Sequence, residues 1–560
     1  MNGNNQRQQW FERYPELFSK ELDILKSLGF TLDDVATKVE GRLVFTGFSK
    51  SESTRHLVVR FPDAFPSSAP KIFDTGPASL LTRHHRIDTR QLCLFGFNEG
   101  RWCAKLSVSD ALVEAEDLIS RYKERSAALD NEPPEPVTST IPYSSASILI
   151  PYPISTFTEF DGLKFKSGKF RGKFVHQGNP KVETNGRGII LEATFGDKQR
   201  TCVRPFDEYF KNRGTEINGE WFYVEEPPTH ETLQTALKQC FKETKSFKKS
   251  AEFWIALIFK EETGDAIKTR NTWLIARYNA QGQFNLVRTF PYIQHERYVR
   301  IPGLEKLETK RVLIVGCGSL GSKIAANLAA SGVNRFRLVD YDYFEPNNSV
   351  RHELGVEYFG MPKETALLSR LCSLNPAVLE NSKVFHFQVA GINPFADEQQ
   401  FYGLIEDSDL IIDATGIHSV THFLNSLSFE LRVPMVTASV TNGSWGGEIV
   451  RIVPGKTPCY LCWLDQHYDN KPPAAPESIG EVFAPGCVHP TFTGTTYDLG
   501  IVAGLATSIC VDTLLPHLQH VDLTKNYLRW TSKDSEGKPS FSVTQLSTAA
   551  QTDCWCQRVV

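Results

Sequence analysis

The sequence predicts an α/β protein in which a C-terminal doubly wound sheet is preceded by two α+β regions. From Arg311 onward, apolar runs alternate with helical stretches: RVLIVG, LGSKIAANLAAS, FRLVDYD, a helix over about 363–374, then DLIIDAT. That rhythm is the pattern of parallel strands joined by crossover helices. Upstream, residues 1–130 run helix, strands, loop, helix, while 146–295 are mostly strands with one helix near 231–245. Between them NEPPEPVTSTIPYSSAS is rich in proline and serine and has no sustained period, so 131–145 is a linker. The last domain spans 296–560.

Composition limits the functional classes. A chain of 560 residues, 41% hydrophobic and 22% charged, is long enough for three or four cored domains. A formal net charge of -4 gives no basic footprint for nucleic acid or an anionic membrane. The N-terminus MNGNNQRQQW has no apolar signal core, and no stretch approaches the ~18 apolar residues of a membrane helix. The expectation is a soluble, cytoplasmic protein whose twelve cysteines stay reduced, free for catalysis or metal binding.

In the first region Trp10, Phe11, Tyr14, Leu17, Phe18, Leu22 and Leu25 fall on one face of a single amphipathic helix. Strands RLVFTGF and RHLVVRF follow, then FPDAFPSSAPKIF, a loop ending at Leu92, Cys93 and Leu94, and a helix over about 109–129. The middle region contributes GIILEATF, WFYVEE, FWIALIF and TWLIARY as strands and carries no chemical motif.

Chemistry begins at RVLIVGCGSLGSKIAANLA. Gly316, Gly318 and Gly321 lie between a buried strand and a helix, where they permit a tight turn and close approach of phosphates to the helix N-terminus. Asp340 ends the next strand, where an acid binds ribose hydroxyls. Alone, this pattern favours a dinucleotide dehydrogenase. The run DYDYFEPNNSVRHELG then sets Asp340, Asp342, Asn348 and Arg351 in the order D-x-D, N-x-x-R, and Lys363 follows in GMPKETA.

With those residues the C-terminal 296–560 resembles the Rossmann-like adenylation domains of ubiquitin-activating enzymes and their ThiF and MoeB relatives. The resemblance implies ATP and magnesium as cofactors, Asp340 on the ribose, and Asn348, Arg351 and Lys363 facing the phosphates. It also implies that Arg300, in ERYVRIPGLEKLETKRVLIVG, reaches the active site of the opposite subunit of a homodimer. One departure stands out: the family's magnesium-binding D-x-T-D reads Asp413, Ala414, Thr415, Gly416 here, which leaves Asp413 to take over.

Cys487 lies in FAPGCVHPTFTGTTYDLG, a Gly-, Pro- and Thr-rich loop ahead of a helix over about 499–515, as an acyl-accepting thiol requires. Cys459 and Cys462 form C-x-x-C, and Cys554 and Cys556 end the chain in TDCWCQ. Relatives hold zinc with two C-x-x-C pairs. The second pair here is one residue short, so structural zinc, a redox pair and core thiols all stay open.

The first region is similar to ubiquitin-conjugating enzymes, on its helix, strand meander, FPSSAPKIF, central L-C-L and Trp102. That makes Cys93 the acceptor of a thioester from Cys487. The family's His-Pro-Asn triplet is replaced by Arg83, His84 and His85, with His85 in the asparagine place as an oxyanion stabiliser. A conjugating domain fused to an activating domain resembles the conjugation enzymes of CBASS antiphage operons. The resemblance implies, as partners, a CD-NTase or ubiquitin-like protein with an exposed C-terminus and a lysine-bearing target. The rival readings are a sulfur-carrier adenylyltransferase with a non-catalytic N-terminal binding domain, and a non-catalytic scaffold.

Overall fold

The computed structural model describes residues 8–76, 90–92, 94–95, 100–124, 138, 141, 143–151, 154–155, 166–177, 185–196, 198–202, 210, 212–228, 232–244, 253–262, 269–279, 282–292, 296–389, 398–476 and 492–557. Cys93, His85 and Cys487 lie outside these residues. The chain divides into two compact units, Met1–Thr201 with Asn212–Tyr292, and Cys202–Lys211 with Ile293–Val560.

In the first unit the expected opening helix is two helices, Trp10–Arg13 and Pro15–Ser27. The break has a local cause. Pro15 disfavours the helical conformation at Tyr14, which takes φ -129° and ψ 65°, while proline itself suits the first helical position. An antiparallel meander follows, with β1 Thr31–Leu32, β2 Val44–Phe48, β3 His56–Arg60 and β4 Lys71–Asp74 in consecutive order. Trp10 and Leu25 are buried with Phe45, Leu57, Val59 and Ile72, and the helix Val108–Glu124 adds Ala111, Leu112 and Ala115 to the same core. The segment around Leu92 is tied down: its N–H donates to the Ile72 carbonyl at 2.9 Å, and Arg101 donates to the Leu94 carbonyl at 2.6 Å.

The middle region keeps the expected strands with one helix, and its strands close on themselves. Its strands are β5 Ala146–Ile150, β6 Ser167–His176, β7 Gly186–Phe195, β8 Lys198–Thr201, β9 Thr215–Tyr223, β10 Phe253–Glu262, β11 Thr269–Tyr278 and β12 Phe284–Pro291. They run β5-β12-β11-β10-β9-β6-β7-β8, and β5 also pairs with β7, so seven strands close into a barrel with β8 at its margin. Strand period sorts the side chains. Trp254, Ala256 and Ile258 of β10 pack with Phe174, Phe195, Trp221 and Trp273, whereas Phe253, Ile255, Leu257 and Phe259 form a second core with Leu233, Leu237 and Cys240 of the helix Leu233–Glu243. Closure depends on β5 meeting β7 and β12, a pairing between distant segments that local pattern does not encode.

The second unit is the predicted doubly wound sheet. Its strands are β13 Arg311–Val315, β14 Arg335–Asp340, β15 Lys383–His386, β16 Leu410–Asp413, β17 Met435–Val440, β18 Gly446–Ile452, β19 Tyr527–Lys533 and β20 Pro539–Leu546, in the order β15-β14-β13-β16-β17-β18-β19-β20. The first five are parallel and the last three extend them antiparallel. Val312 and Ile314 face a core with the helices Ser319–Ser331, Lys363–Leu374 and Thr496–Leu514; Leu313 and Val315 face the opposite core with Glu398–Glu406, His418–Leu431 and Tyr460–His467. Among the described residues Thr496–Leu514 is the one helix long and apolar enough to cross a membrane, and its Val502, Ala503, Ala506 and Cys510 are buried in the domain core.

Candidate functional site

Strands β13 and β16 are neighbours, but the chain leaves β13 for β14 on one side and β16 for β17 on the other. A crevice therefore opens beyond their carboxyl ends, where doubly wound sheets bind ligands. The turn after β13 is built by its glycines. Gly316 sits at φ +90°, a conformation side chains rarely adopt, and a Cβ there would also stand 2.9 Å from the Ala414 carbonyl carbon. At Gly321 a Cβ would stand 1.9 Å from the Gly316 carbonyl oxygen, so this glycine lets helix and turn close on each other. Gly318 is different. It is the N-cap of Ser319–Ser331, and a Cβ there would meet nothing within 4 Å, so this side of the turn is open.

Asp340 holds the turn from below. Its carboxylate accepts from the N–H groups of Cys317 at 2.6 Å, Tyr341 at 2.8 Å and Asp342 at 2.9 Å, while burial pushes its pKa up. A carboxylate has about four acceptor positions, which leaves one free. Asp342 forms an ion pair with Lys363, and its carbonyl accepts from the Lys363 N–H at 2.9 Å. Asn348 caps the short helix Pro346–Val350, its side chain accepting from the Glu345 N–H at 3.3 Å. Arg351 reaches back to the glycine-rich turn: Nε donates to Ser319 Oγ at 3.1 Å and Nη1 to the Phe492 carbonyl at 2.6 Å. Burial holds its guanidinium below the usual arginine range. Asp340, Asp342, Arg351 and Lys363 thus gather around the turn.

Asp413 does not fit a magnesium ion in this structure. It has 0% exposure, and its oxygens accept from the Thr415 N–H at 3.0 Å and the hydroxyls of Thr415 at 2.7 Å, Thr421 at 2.5 Å and Thr437 at 3.1 Å. Four donors fill the acceptor inventory of a carboxylate. Burial raises its pKa. The visible role of Asp413 is to anchor the turn that Gly316 packs against. Arg300 is exposed at the end of the helix Glu296–Arg300.

Four cysteines of the C-terminal domain come together. Cys459, Cys462, Cys554 and Cys556 are buried with their sulfurs within 4.8 Å of one another; Cys459 lies 3.8 Å from Cys462 and 3.5 Å from Cys554, and Cys462 lies 3.8 Å from Cys556. Zinc–sulfur bonds of ~2.3 Å give a tetrahedron whose edge is about 3.8 Å. The thiolate set and its spacing fit structural zinc, and the shortened C-x-C pair closes the site as well as C-x-x-C.

Sequence reasoning missed three residues here. His352 is 6% exposed and hydrogen-bonds the Cys317 carbonyl at 2.7 Å. Ser319 and Phe492 anchor Arg351. A histidine next to an arginine carries no signal alone; its partner is 35 positions away.

A glycine-rich turn at a switch point, an acid with one acceptor position left and a half-buried arginine define a nucleotide-binding domain that handles phosphates. Residues 293–556 match the model of the ThiF family. This part of the chain is that of an ATP-dependent adenylylating enzyme of the ThiF/MoeB superfamily, with ATP as its cofactor. The whole chain is 28% identical over 576 residues to y4oA, an uncharacterized protein of Sinorhizobium fredii, covering 92% of this chain and 94% of that one. It is 30% identical over 161 residues to the molybdopterin-synthase adenylyltransferase of Escherichia coli, covering 29% of this chain and 61% of that protein. It is 31% identical over 166 residues to the sulfur carrier protein ThiS adenylyltransferase of Bacillus subtilis, covering 29% of this chain and 46% of that protein. It thus spans less than two thirds of the length of these two adenylyltransferases. Among solved structures, E. coli MccB with AMPCPP and MccA aligns at TM-score 0.34 and 17% identity, over 47% of this chain and 74% of that one.

Proposed function

We propose that the chain activates the C-terminal carboxylate of a protein or peptide as its acyl-adenylate. The observation that carries this reading is Arg351 held on Ser319 at the open helix N-terminus after the glycine-rich turn, with Asp340 and the Asp342–Lys363 ion pair beside that turn. In the step, a carboxylate oxygen attacks the α-phosphorus of ATP, the bond from that phosphorus to the oxygen bridging to the β-phosphate breaks, and pyrophosphate leaves with the electron pair. Negative charge grows on the phosphoryl oxygens, where Arg351, Lys363 and the helix N-terminus stabilise it. Asp340 orients the ribose through its remaining acceptor position.

In the fuller form of the proposal, Cys487 displaces AMP to form a thioester, Cys93 receives the acyl group, and a target lysine captures it as an amide. Arg300 completes the site across a homodimer, His85 serves the last transfer, and the setting is cytoplasmic antiphage defence with a CD-NTase or ubiquitin-like substrate. A second reading is favoured by the named relatives, whose matches fall on 29% of this chain: a sulfur-carrier adenylyltransferase whose N-terminal region only binds partners. Carboxylate-dependent exchange of pyrophosphate into ATP tests the shared first step, and its absence with a panel of carrier C-termini overturns both readings. Mass spectrometry of thioester adducts then separates them. The relay requires Cys93→Ala to stall the acyl group on Cys487; target conjugation that survives Cys93→Ala removes Cys93 from the relay, and transfer of sulfur in place of amide formation marks the sulfur-carrier reading.

A further inference from the structure

His352 lies where the glycine-rich turn meets the loop that carries Arg351. Its ring is buried, edge-on to Phe344 with centroids 5.2 Å apart. The Leu354 N–H lies 3.2 Å from Nδ1, which must therefore accept, so the ring proton sits on Nε2 and is donated to the Cys317 carbonyl at 2.7 Å. Burial pushes the pKa of this ring down to about 4, consistent with the neutral form that pattern requires. The Cys317 residue is thus gripped twice, its N–H by Asp340 at 2.6 Å and its carbonyl by His352.

The consequence falls on the next residue. The Cys317 carbonyl and the Gly318 N–H belong to one planar trans peptide and point in opposite directions. Fixing the carbonyl toward His352 aims the Gly318 N–H away from it. Among the described backbone hydrogen bonds none takes that N–H, and the space beside Gly318 is open. Preset donors facing open space are what an anion needs, because no reorganisation is required on binding. We propose that His352 is a positioning residue for ATP: by holding the Cys317 carbonyl it aims the Gly318 N–H at the phosphates. The proposal rests on the assignment of this turn to ATP.

The test is calorimetric titration of the full chain with ATP and, separately, with adenosine, which lacks phosphates. His352→Phe keeps a ring but loses the donor; it is expected to weaken ATP by about tenfold or more, one buried carbonyl being left unpaired, and to leave adenosine unchanged. His352→Gln restores an N–H donor and is expected to recover most of the ATP affinity. His352→Asn, whose amide is too short to reach Cys317, repeats the loss if the phenylalanine variant fails to fold. An equal loss for ATP and adenosine, or no loss for either, overturns the proposal. A wild-type chain that binds adenosine but shows no added affinity for ATP overturns the phosphate assignment itself and the proposal with it. Nitrogen-15 shifts of His352 at pH 7 give an independent reading: a protonated Nε2 and bare Nδ1 support the geometry, and the opposite tautomer refutes it.

Discussion

Alanine at Gly321 and alanine at Gly318 place one methyl group on the same turn, yet the structure assigns them opposite failures. At Gly321 the new carbon would stand 1.9 Å from the Gly316 carbonyl oxygen and 3.2 Å from Ala414 Cβ. The carbonyl must retreat by about 1.5 Å to restore ordinary contact. It cannot do so freely, because Gly316 is followed by the Cys317 N–H that donates to Asp340 at 2.6 Å. Overpacking costs about 1–3 kcal/mol and a weakened hydrogen bond to a charged group adds to it, so about 3 kcal/mol is expected. That corresponds to roughly 6–12 °C in melting temperature for a domain of this size. At Gly318 the backbone has φ -75°, open to any residue, and the methyl meets no atom within 4 Å. The stability loss there should stay near 1 kcal/mol, the ordinary cost of alanine at an N-cap. Its effect should appear in ATP binding, because the methyl enters the space left for phosphate. Scanning calorimetry and ATP titration of the two variants decide the matter. A Gly321→Ala protein that melts with the wild type, or a Gly318→Ala protein that binds ATP unchanged, refutes the reasoning.

The cysteine cluster should hold one zinc per chain by elemental analysis, and Cys556→Ser should lose the metal and about 3 kcal/mol or more of stability; four freely titrating thiols in metal-free native protein would contradict this. Acid should expose His352. Its folded pKa is depressed to about 4 from 6.5, mainly by burial and with Lys363, Lys323 and Arg351 adding repulsion. The unfolded ring takes up a proton first, so this contribution is complete above about pH 6.5 and is lost as pH falls toward 4, about 3 kcal/mol in all. Urea titrations of wild type and His352→Gln across that range should converge in slope above pH 6.5 and diverge below it; parallel curves would remove the argument. Lys363→Ala should cut pyrophosphate exchange by about a hundredfold, a loss typical of one transition-state contact, with little change in melting temperature.

The local patterns were legible because they are set within a few residues of chain. The periods of RVLIVG and LGSKIAANLAAS, the glycine spacing and the helix at Lys363–Leu374 all follow from short-range backbone geometry. Even so, an amphipathic period ran across Tyr14 and Pro15 without noticing that the proline divides the helix. In the site, residue types in order brought Asp340, Asp342, Arg351 and Lys363 to one turn, but the order could not say which acid had acceptor positions left.

By itself the sequence determined the class of fold, the glycine-rich turn and the residues that gather at it, because strand and helix periods and turn chemistry are local properties. Only the tertiary structure decided that β5 closes a barrel with β7 and β12, that four cysteines from segments over ninety positions apart share one small volume, and that Asp413 is saturated while Asp340 is not. It also brought His352 onto Cys317. These are meetings of distant segments, and whether a polar group has a free hydrogen-bonding position depends on every neighbour that folding brings to it.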